Sequence, residues 1–189
     1  MTKTRERILD ASGELFRRQG YAGTGIKQIL AMANAPFGSL YHHFPGGKDE
    51  LTAETITRAG AFYAELVTEK LLAGPDLATN VRDAFVSAGQ TLIDTDYADA
   101  CPIETVALEV ASTNEPLRLA TADVFESWIA GLAALLVFNN VPEPAARSLA
   151  QVIIAALEGA FVLARASRTT DALVATGDAM ATLVRAAQT

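Results

Sequence analysis

His42 and His43 are the only histidines of the chain, and they stand just ahead of Gly46-Gly47-Lys48. Adjacent imidazoles suggest a metal, and Gly-Gly-Lys suggests a loop that cradles phosphate. Neither chemistry survives the spacing. Successive residues on a helix point about 100° apart, so neighbouring imidazoles cannot converge on one ion. A single cysteine, Cys101, is too little to complete a site. A phosphate loop needs glycine five residues before Gly47 and a hydroxyl after Lys48, where the chain has His42 and Asp49. No Ser/His/Asp set for nucleophilic catalysis is visible, because both histidines already sit in this run. The chain reads as a non-enzyme with no cofactor and no metal. What remains is anion recognition. Ser39, Tyr41 and His42 offer donors for phosphates, and Lys48 opens a helix whose free N–H groups favour an anion.

These residues need elements to position them, and the pattern is helical almost throughout. Ile8, Ala11, Ser12, Leu15 and Phe16 recur at helical spacing, and Gly20 ends that helix. A short helix follows over about Ile26–Ala33, closed by Asn34, a residue that tolerates the left-handed conformation. A third spans about Phe37–His43, started by Pro36 and stopped by Pro45-Gly46-Gly47. A long helix runs from about Lys48 to Leu72, and Gly74-Pro75 marks a boundary. Further helices are expected at about 76–94, 103–112, 115–138, 143–167 and 171–187, with Asn114 as a start signal. No stretch alternates with a period of two, so the fold class is all-α, with about nine helices.

The charge divides along the chain. Residues 1–50 hold seven basic against five acidic side chains, a net of +2, and the remainder holds eight against seventeen, a net of −9. Such asymmetry hints at an electrostatic partner at one end, although chance and solvated helix faces give the same pattern. Half the residues are hydrophobic, which excludes a disordered chain. One cysteine excludes an internal disulfide framework and fits a reducing compartment. The charged start "MTKTRERILDASGELF" is unlike a signal peptide, and the apolar stretch Val152 to Ala164 is short for a membrane span and carries Glu158. The expectation is a cytoplasmic protein with no membrane partner.

Two short helices joined by a tight turn, Ile26–Ala33 and Phe37–His43, make a helix-turn-helix, whose second helix enters the major groove of DNA. Gly38 and Ser39 are small enough for close approach, and Thr24 and Lys27 open the first of the pair. The run "GYAGTGIKQILAMANAPFGSLYHHFPGGKDEL" resembles the N-terminal domain of TetR/AcrR-family transcriptional regulators over about residues 5–51. "FPGGK" and the later Cys101-Pro102-Ile103 and Ala107-Leu108-Glu109 are similar to the LmrA/YxaF-like subgroup. The resemblance implies a DNA-binding domain at residues 1–47 and a ligand-binding and dimerisation domain at 48–189, with helix 48–72 as connector. It places Leu40 and Phe44 in the core, and Ser39, Tyr41, His42 and Lys48 toward an operator. The chain departs from the family pattern at Asn34, Pro36 and Phe37, where glycine, serine and a basic residue are usual. Phe37 can read a thymine methyl group, or it can pack beside Tyr41 and Phe44.

A helix-turn-helix monomer touches few base pairs, so a homodimer on two half-sites is expected, its recognition helices about 34–36 Å apart. Helices 143–167 and 171–187 are the expected dimer surface; the first is apolar nearly all round, hence buried on most sides, with the core helix of a monomer as the competing account. Ile154, Glu158, Phe161 and Arg165 are its expected interface residues, with Glu158 and Arg165 placed to pair across the two-fold. The resemblance further implies a cavity for a small, largely apolar effector. Candidate lining residues are Phe62, Phe85, Cys101, Glu104, Glu109, Trp128 and Phe161. For the aromatics an ordinary core is the competing account, and for Glu109 an exposed or capped glutamate. The function expected is a ligand-responsive repressor. Its alternatives are a redox-responsive regulator acting through Cys101, whose acidic neighbours disfavour a thiolate, and a helical binding protein with weak or lost affinity for DNA.

Overall fold

The computed structural model describes residues 3–188. The outermost residues of the two expected domains, 1–2 and 189, lie outside the described residues. Nine helices and no strand occur among those described: α1 (Lys3–Gln19), α2 (Ile26–Met32), α3 (Ser39–His43), α4 (Gly47–Leu72), α5 (Leu77–Asp94), α6 (Pro102–Val110), α7 (Glu115–Phe138), α8 (Glu143–Ser167) and α9 (Asp171–Ala187). The all-α expectation holds, with boundaries within about two residues of the sequence pattern. The chief shift is at α3, which starts at Ser39 and leaves Phe37 and Gly38 in the turn before it.

Local chemistry sets the ends. Asn34 has φ 46°, and the N–H groups of Asn34 and Ala35 return to the carbonyls of Ala31 (3.1 Å) and Leu30 (2.9 Å). This is a Schellman closure, which uses the last free carbonyls of a helix. The same closure ends α5 at Asp96 and α7 at Asn140, with Tyr97 N–H on the Leu92 carbonyl and Val141 N–H on that of Leu136. Asp76 caps α5, its carboxylate accepting the Thr79 N–H at 2.9 Å. Asn114 caps α7, its side-chain oxygen accepting the Leu117 N–H at 3.1 Å.

The chain forms two compact units. The first comprises the residues up to Phe62 together with Cys101–Val124. Its core is Ile8, Leu9, Leu15, Ile29, Leu30, Leu40, Phe44 and Leu51, contributed by α1 to α4, and α6 also packs on α1. The second comprises Tyr63–Ala100 and the residues from Phe125 onward. There α5 and α8 pack on α9 around Val81, Phe85, Leu92, Ile153, Leu173 and Val184. This division differs from a break at residue 47: α6 and the first turns of α7 group with the helix-turn-helix, and Ile103, Val106, Val110 and Leu117 on them are buried.

α8 is not the enclosed core helix of a monomer: only 22% of its apolar stretch is buried, and 17% of that of α7, and both helices are long and apolar enough by length and composition to cross a membrane. One side of α8, Ala146, Ala150, Ile153, Ala160 and Ala164, is buried in the second unit. The other side, Val152, Ala155, Gly159, Val162, Leu163 and Ala166, is exposed and apolar. α9 repeats this with Ala175, Ala179, Leu183 and Ala186 exposed. The apolar circumference of α8 thus reflects one buried stripe and one uncovered stripe.

Candidate nucleic-acid interface

α3 is amphipathic over very few residues. Leu40 and the following Phe44 are fully buried against α1 and α2, which pins the helix by one side. Gly38, Tyr41 and His42 are exposed and Ser39 is half-buried. Phe37 is 59% exposed and Tyr41 54% exposed. Packing therefore does not account for Phe37: Phe44 is in the core and Phe37 is not. Two large aromatic side chains and a histidine stand out from the recognition segment, and Lys27 is exposed on α2.

Two of the expected DNA contacts are placed otherwise. Thr24 is 1% exposed, and its hydroxyl donates to the Gly20 carbonyl at 2.6 Å, so it braces the turn between α1 and α2. Lys48 is half-buried, its ammonium donating to the Tyr21 carbonyl at 2.6 Å and lying 3.8 Å from the centre of the Tyr21 ring. A carbonyl and an aromatic face both attract a cation, which accounts for its direction. Burial holds the Lys48 pKa below its ordinary value, with the nearby charges of Asp49 and Glu109 opposing that shift. The N–H of Gly46, at the start of α4, is taken by the Glu50 carboxylate at 2.6 Å. An anion at this helix start is thus already supplied by the chain.

The turn from Gly20 to Gly25 is held by side chains of α1, α4 and α6. Gly20 has φ +72°, a conformation that favours glycine. The Ala22 N–H donates to the Glu109 carboxylate of α6 at 2.5 Å, and a Cβ on Gly20 would overlap that same carboxylate. The Tyr21 hydroxyl donates to Asp49 at 2.5 Å, and the Asn114 amide donates to the other Asp49 oxygen at 2.8 Å. Burial, then the hydrogen bond to Asp49 and the charges of Asp49 and Glu109, push the Tyr21 hydroxyl up to about 12. Tyr21, Asp49 and Asn114 had no site role in the sequence reading. Only the Gly20-Tyr21 pair and the helix-start character of Asn114 signalled them.

Glu109 was expected in a ligand wall, but its carboxylate is engaged at this turn. The other expected lining residues divide between the units: Phe62, Cys101 and Glu104 fall in the first, Phe85, Trp128 and Phe161 in the second. Phe85 is 1% exposed and is core, whereas Phe62 is 59% exposed. Cys101 is the N-cap of α6, and Glu104 lies in its first turn. Trp128 is half-buried and stacks edge-on with Phe125 at 5.7 Å, and Phe161 packs half-buried against the second core. A groove of about 440 Å³ in the second unit is lined by Ala133, Ala134, Val137, Glu143, Pro144, Ala146 and Arg147, none of them an expected lining residue. Of the expected dimer residues, Ile154, Glu158, Phe161 and Arg165 are all half-buried. The Arg165 guanidinium donates to the carbonyls of Tyr97 (3.4 Å) and Ala98 (3.3 Å) within its own chain. Among the described residues no group of His, Cys, Asp or Glu is arranged to hold a metal.

A short helix pinned by one side, presenting aromatic and polar groups on the other and preceded by a second short helix, is the arrangement of a helix-turn-helix regulator. Comparison with known proteins gives the same class. Residues 8–55 match the family described as bacterial regulatory proteins, tetR family, and residues 77–179 match the transcriptional regulator LmrA/YxaF-like C-terminal domain. The chain belongs to the TetR family of DNA-binding transcriptional regulators, with an LmrA/YxaF-like C-terminal domain, and is not an enzyme. It is 32% identical over 182 residues to the uncharacterized HTH-type transcriptional regulator YxaF of Bacillus subtilis, covering 96% of this chain and 95% of that one. It is 30% identical over 171 residues to the HTH-type transcriptional regulator LmrA of the same organism, covering 90% and 91%. The crystal structure of a regulatory protein TetR from Rhodobacter sphaeroides shares its fold, with TM-score 0.84 at 21% identity over 96% of this chain and 98% of that one.

Proposed function

We propose that the chain is a cytoplasmic homodimeric repressor that leaves a palindromic operator when a small, largely apolar effector binds. The observation that carries the DNA half of this reading is the exposed face of the recognition segment, with Phe37, Tyr41 and His42 outward while Leu40 and Phe44 hold it to the core. Gly38 and Ser39 allow close approach, Tyr41, His42 and Lys27 meet phosphates, and Phe37 reads a thymine methyl group. A protein seated on an operator denies that DNA to other proteins, so repression is the default sign.

The uncovered stripes of α8 and α9 support the dimer. Val162 is 47% exposed, Leu163 61% and Leu183 44%, and apolar surface of this extent calls for a partner. The proposed interface centres on Val152, Ala155, Gly159, Val162 and Leu163, with the half-buried Ile154, Glu158, Phe161 and Arg165 beside it. An effector that binds better to the form with the wrong half-site spacing must weaken DNA binding by linkage. Trp128, the sole tryptophan, reports on a ligand in the second unit.

The test is a titration of the full chain against DNA from upstream of its own gene at several salt concentrations, with molecular mass measured in parallel. Affinity should fall as salt rises, since phosphate contacts release counterions. Leu163→Glu should yield monomers that have lost operator affinity. A wild-type monomer, a requirement for detergent or lipid to stay dispersed, or DNA binding that no salt concentration alters would each refute the reading.

A further inference from the structure

We propose that Glu109 is a positioning residue for DNA binding: from α6 it fixes the turn that aims the helix-turn-helix, without contacting DNA itself. Its carboxylate accepts the N–H of Ala22 at 2.5 Å, a bond that joins positions 87 residues apart. The approach is reserved by the sequence. Gly20 leaves open the space the carboxylate occupies, and the Thr105 methyl, one helical turn earlier on α6, lies 3.2 Å from where a Gly20 Cβ would be. Ala22 is exposed, and α2 begins four residues later at Ile26, so the direction of its N–H bears on where α2 starts.

The hold is a clamp from several sides. Next to Ala22, the Tyr21 carbonyl takes the Lys48 ammonium, and the Tyr21 hydroxyl takes Asp49. Asp49 is in turn fixed by Asn114, five residues beyond Glu109 and past the end of α6. The two ends of the α6–α7 corner therefore grip the turn before α2 and the start of α4. Exposed turns otherwise sample several backbone states, and each must be ordered again when DNA binds. A turn held by a charge-assisted bond is already ordered, so its loss lowers affinity without removing a DNA contact.

The inference rests on the DNA-binding role of this unit, and the experiment separates the two. The probe is a duplex that the wild-type full chain selects from a random-sequence pool, with affinity measured for wild type, Glu109→Ala and Glu109→Gln across a salt series. Glutamine keeps an acceptor for Ala22 and removes the charge. Positioning predicts that Glu109→Ala loses about fivefold in affinity, the size of one hydrogen bond at an exposed amide. It predicts that Glu109→Gln stays near wild type and that the salt slope is the same in all three. Amide hydrogen exchange at Ala22 should quicken in Glu109→Ala and not in Glu109→Gln, with the thermal midpoint of Glu109→Gln close to wild type and that of Glu109→Ala lower by only about 2–4 °C. A purely electrostatic role predicts the reverse order, because deleting a negative charge tightens binding to DNA in both variants. That outcome, or equal affinity of wild type and Glu109→Ala, overturns the proposal. If Glu109→Ala does not fold, weakening by Glu109→Gln with a changed salt slope overturns it, and wild-type affinity with a protected Ala22 amide upholds it. A wild-type chain that selects no duplex overturns the DNA-binding reading, and with it this one.

Discussion

Gly20→Ala tests whether Gly20 and Glu109 were fitted to each other. Two physical effects oppose the substitution. The first is backbone conformation: φ at Gly20 is +72°, and a residue with a Cβ pays about 1–2 kcal/mol to remain there. The second is collision, because the added methyl would occupy the position of a Glu109 carboxylate oxygen. The far end of a glutamate can swing aside, so the collision is relieved at the expense of the bond to the Ala22 N–H. A hydrogen bond to a charged group contributes about 1.5–3 kcal/mol when buried, and this one, at an exposed amide, is discounted to about 1 kcal/mol. The total for Gly20→Ala is thus about 2–3 kcal/mol. In a Glu109→Ala background the collision partner is gone and only the backbone effect, about 1–2 kcal/mol, remains.

The assay is urea unfolding of wild type, the two single variants and the double variant at one protein concentration, followed at the first unit. The double-mutant cycle isolates the collision as a coupling of about 1 kcal/mol, with the double variant more stable than the sum of the single effects implies. Distant sites add to within about 0.3–0.5 kcal/mol. A coupling inside that margin would refute the claim that Glu109 occupies the space Gly20 leaves, even if both single variants were destabilised.

Phe37→Ala should leave stability unchanged, since the ring is 59% exposed, and should relax the preference for thymine at one position of each half-site by about 1 kcal/mol, read by selection from a random pool. Phe37→Arg should add about one unit to the salt slope for each half-site engaged, which a binding titration at increasing salt reads directly. The ultraviolet difference between wild type and Tyr21→Phe should titrate with a midpoint near about 12. Because the folded value lies above the ordinary tyrosine value of 10.0, the stability Tyr21 contributes is complete below about pH 10 and is lost as pH rises toward 12.

The helices were legible because their ends carry strong local signals. Asn34 closes α2, Gly20 follows α1 and Asn114 starts α7 as their residue types suggest, and the period of apolar residues gives the buried side of α1. Burial of Leu40 and Phe44 followed from the family resemblance rather than from a period. The roles of Thr24, Lys48 and Glu109 were not. Each depends on a partner distant in sequence or on a backbone group of irregular chain, and neither leaves a period to read. A dimer surface on α8 was legible, but which of its residues form the exposed stripe was not, because an apolar residue looks the same in sequence whether its own chain covers it or not.

Lys48 and Glu109 carry opposite charges and have different expected roles, one at DNA and one in a ligand wall, yet both serve one turn. The reason lies in the turn's own backbone. Between α1 and α2 the chain is irregular, so its polar groups must find partners outside a helix. The Gly20 carbonyl takes the Thr24 hydroxyl, the Tyr21 carbonyl takes Lys48, the Ala22 N–H takes Glu109 and the Gly23 carbonyl takes the Gln19 amide at 2.8 Å. A carbonyl calls for a donor and an N–H for an acceptor, so the turn itself decides which side chain of each sign it holds. The consequence for DNA binding is that the direction of α2 is set by residues of α4 and α6 that need never touch a base. Affinity in this unit therefore has two separable sources. Under the proposed function one is the exposed row of Phe37, Tyr41 and His42, whose substitution should change sequence preference or salt slope. The other is the braced turn, whose substitution lowers affinity for all sequences alike at unchanged salt slope.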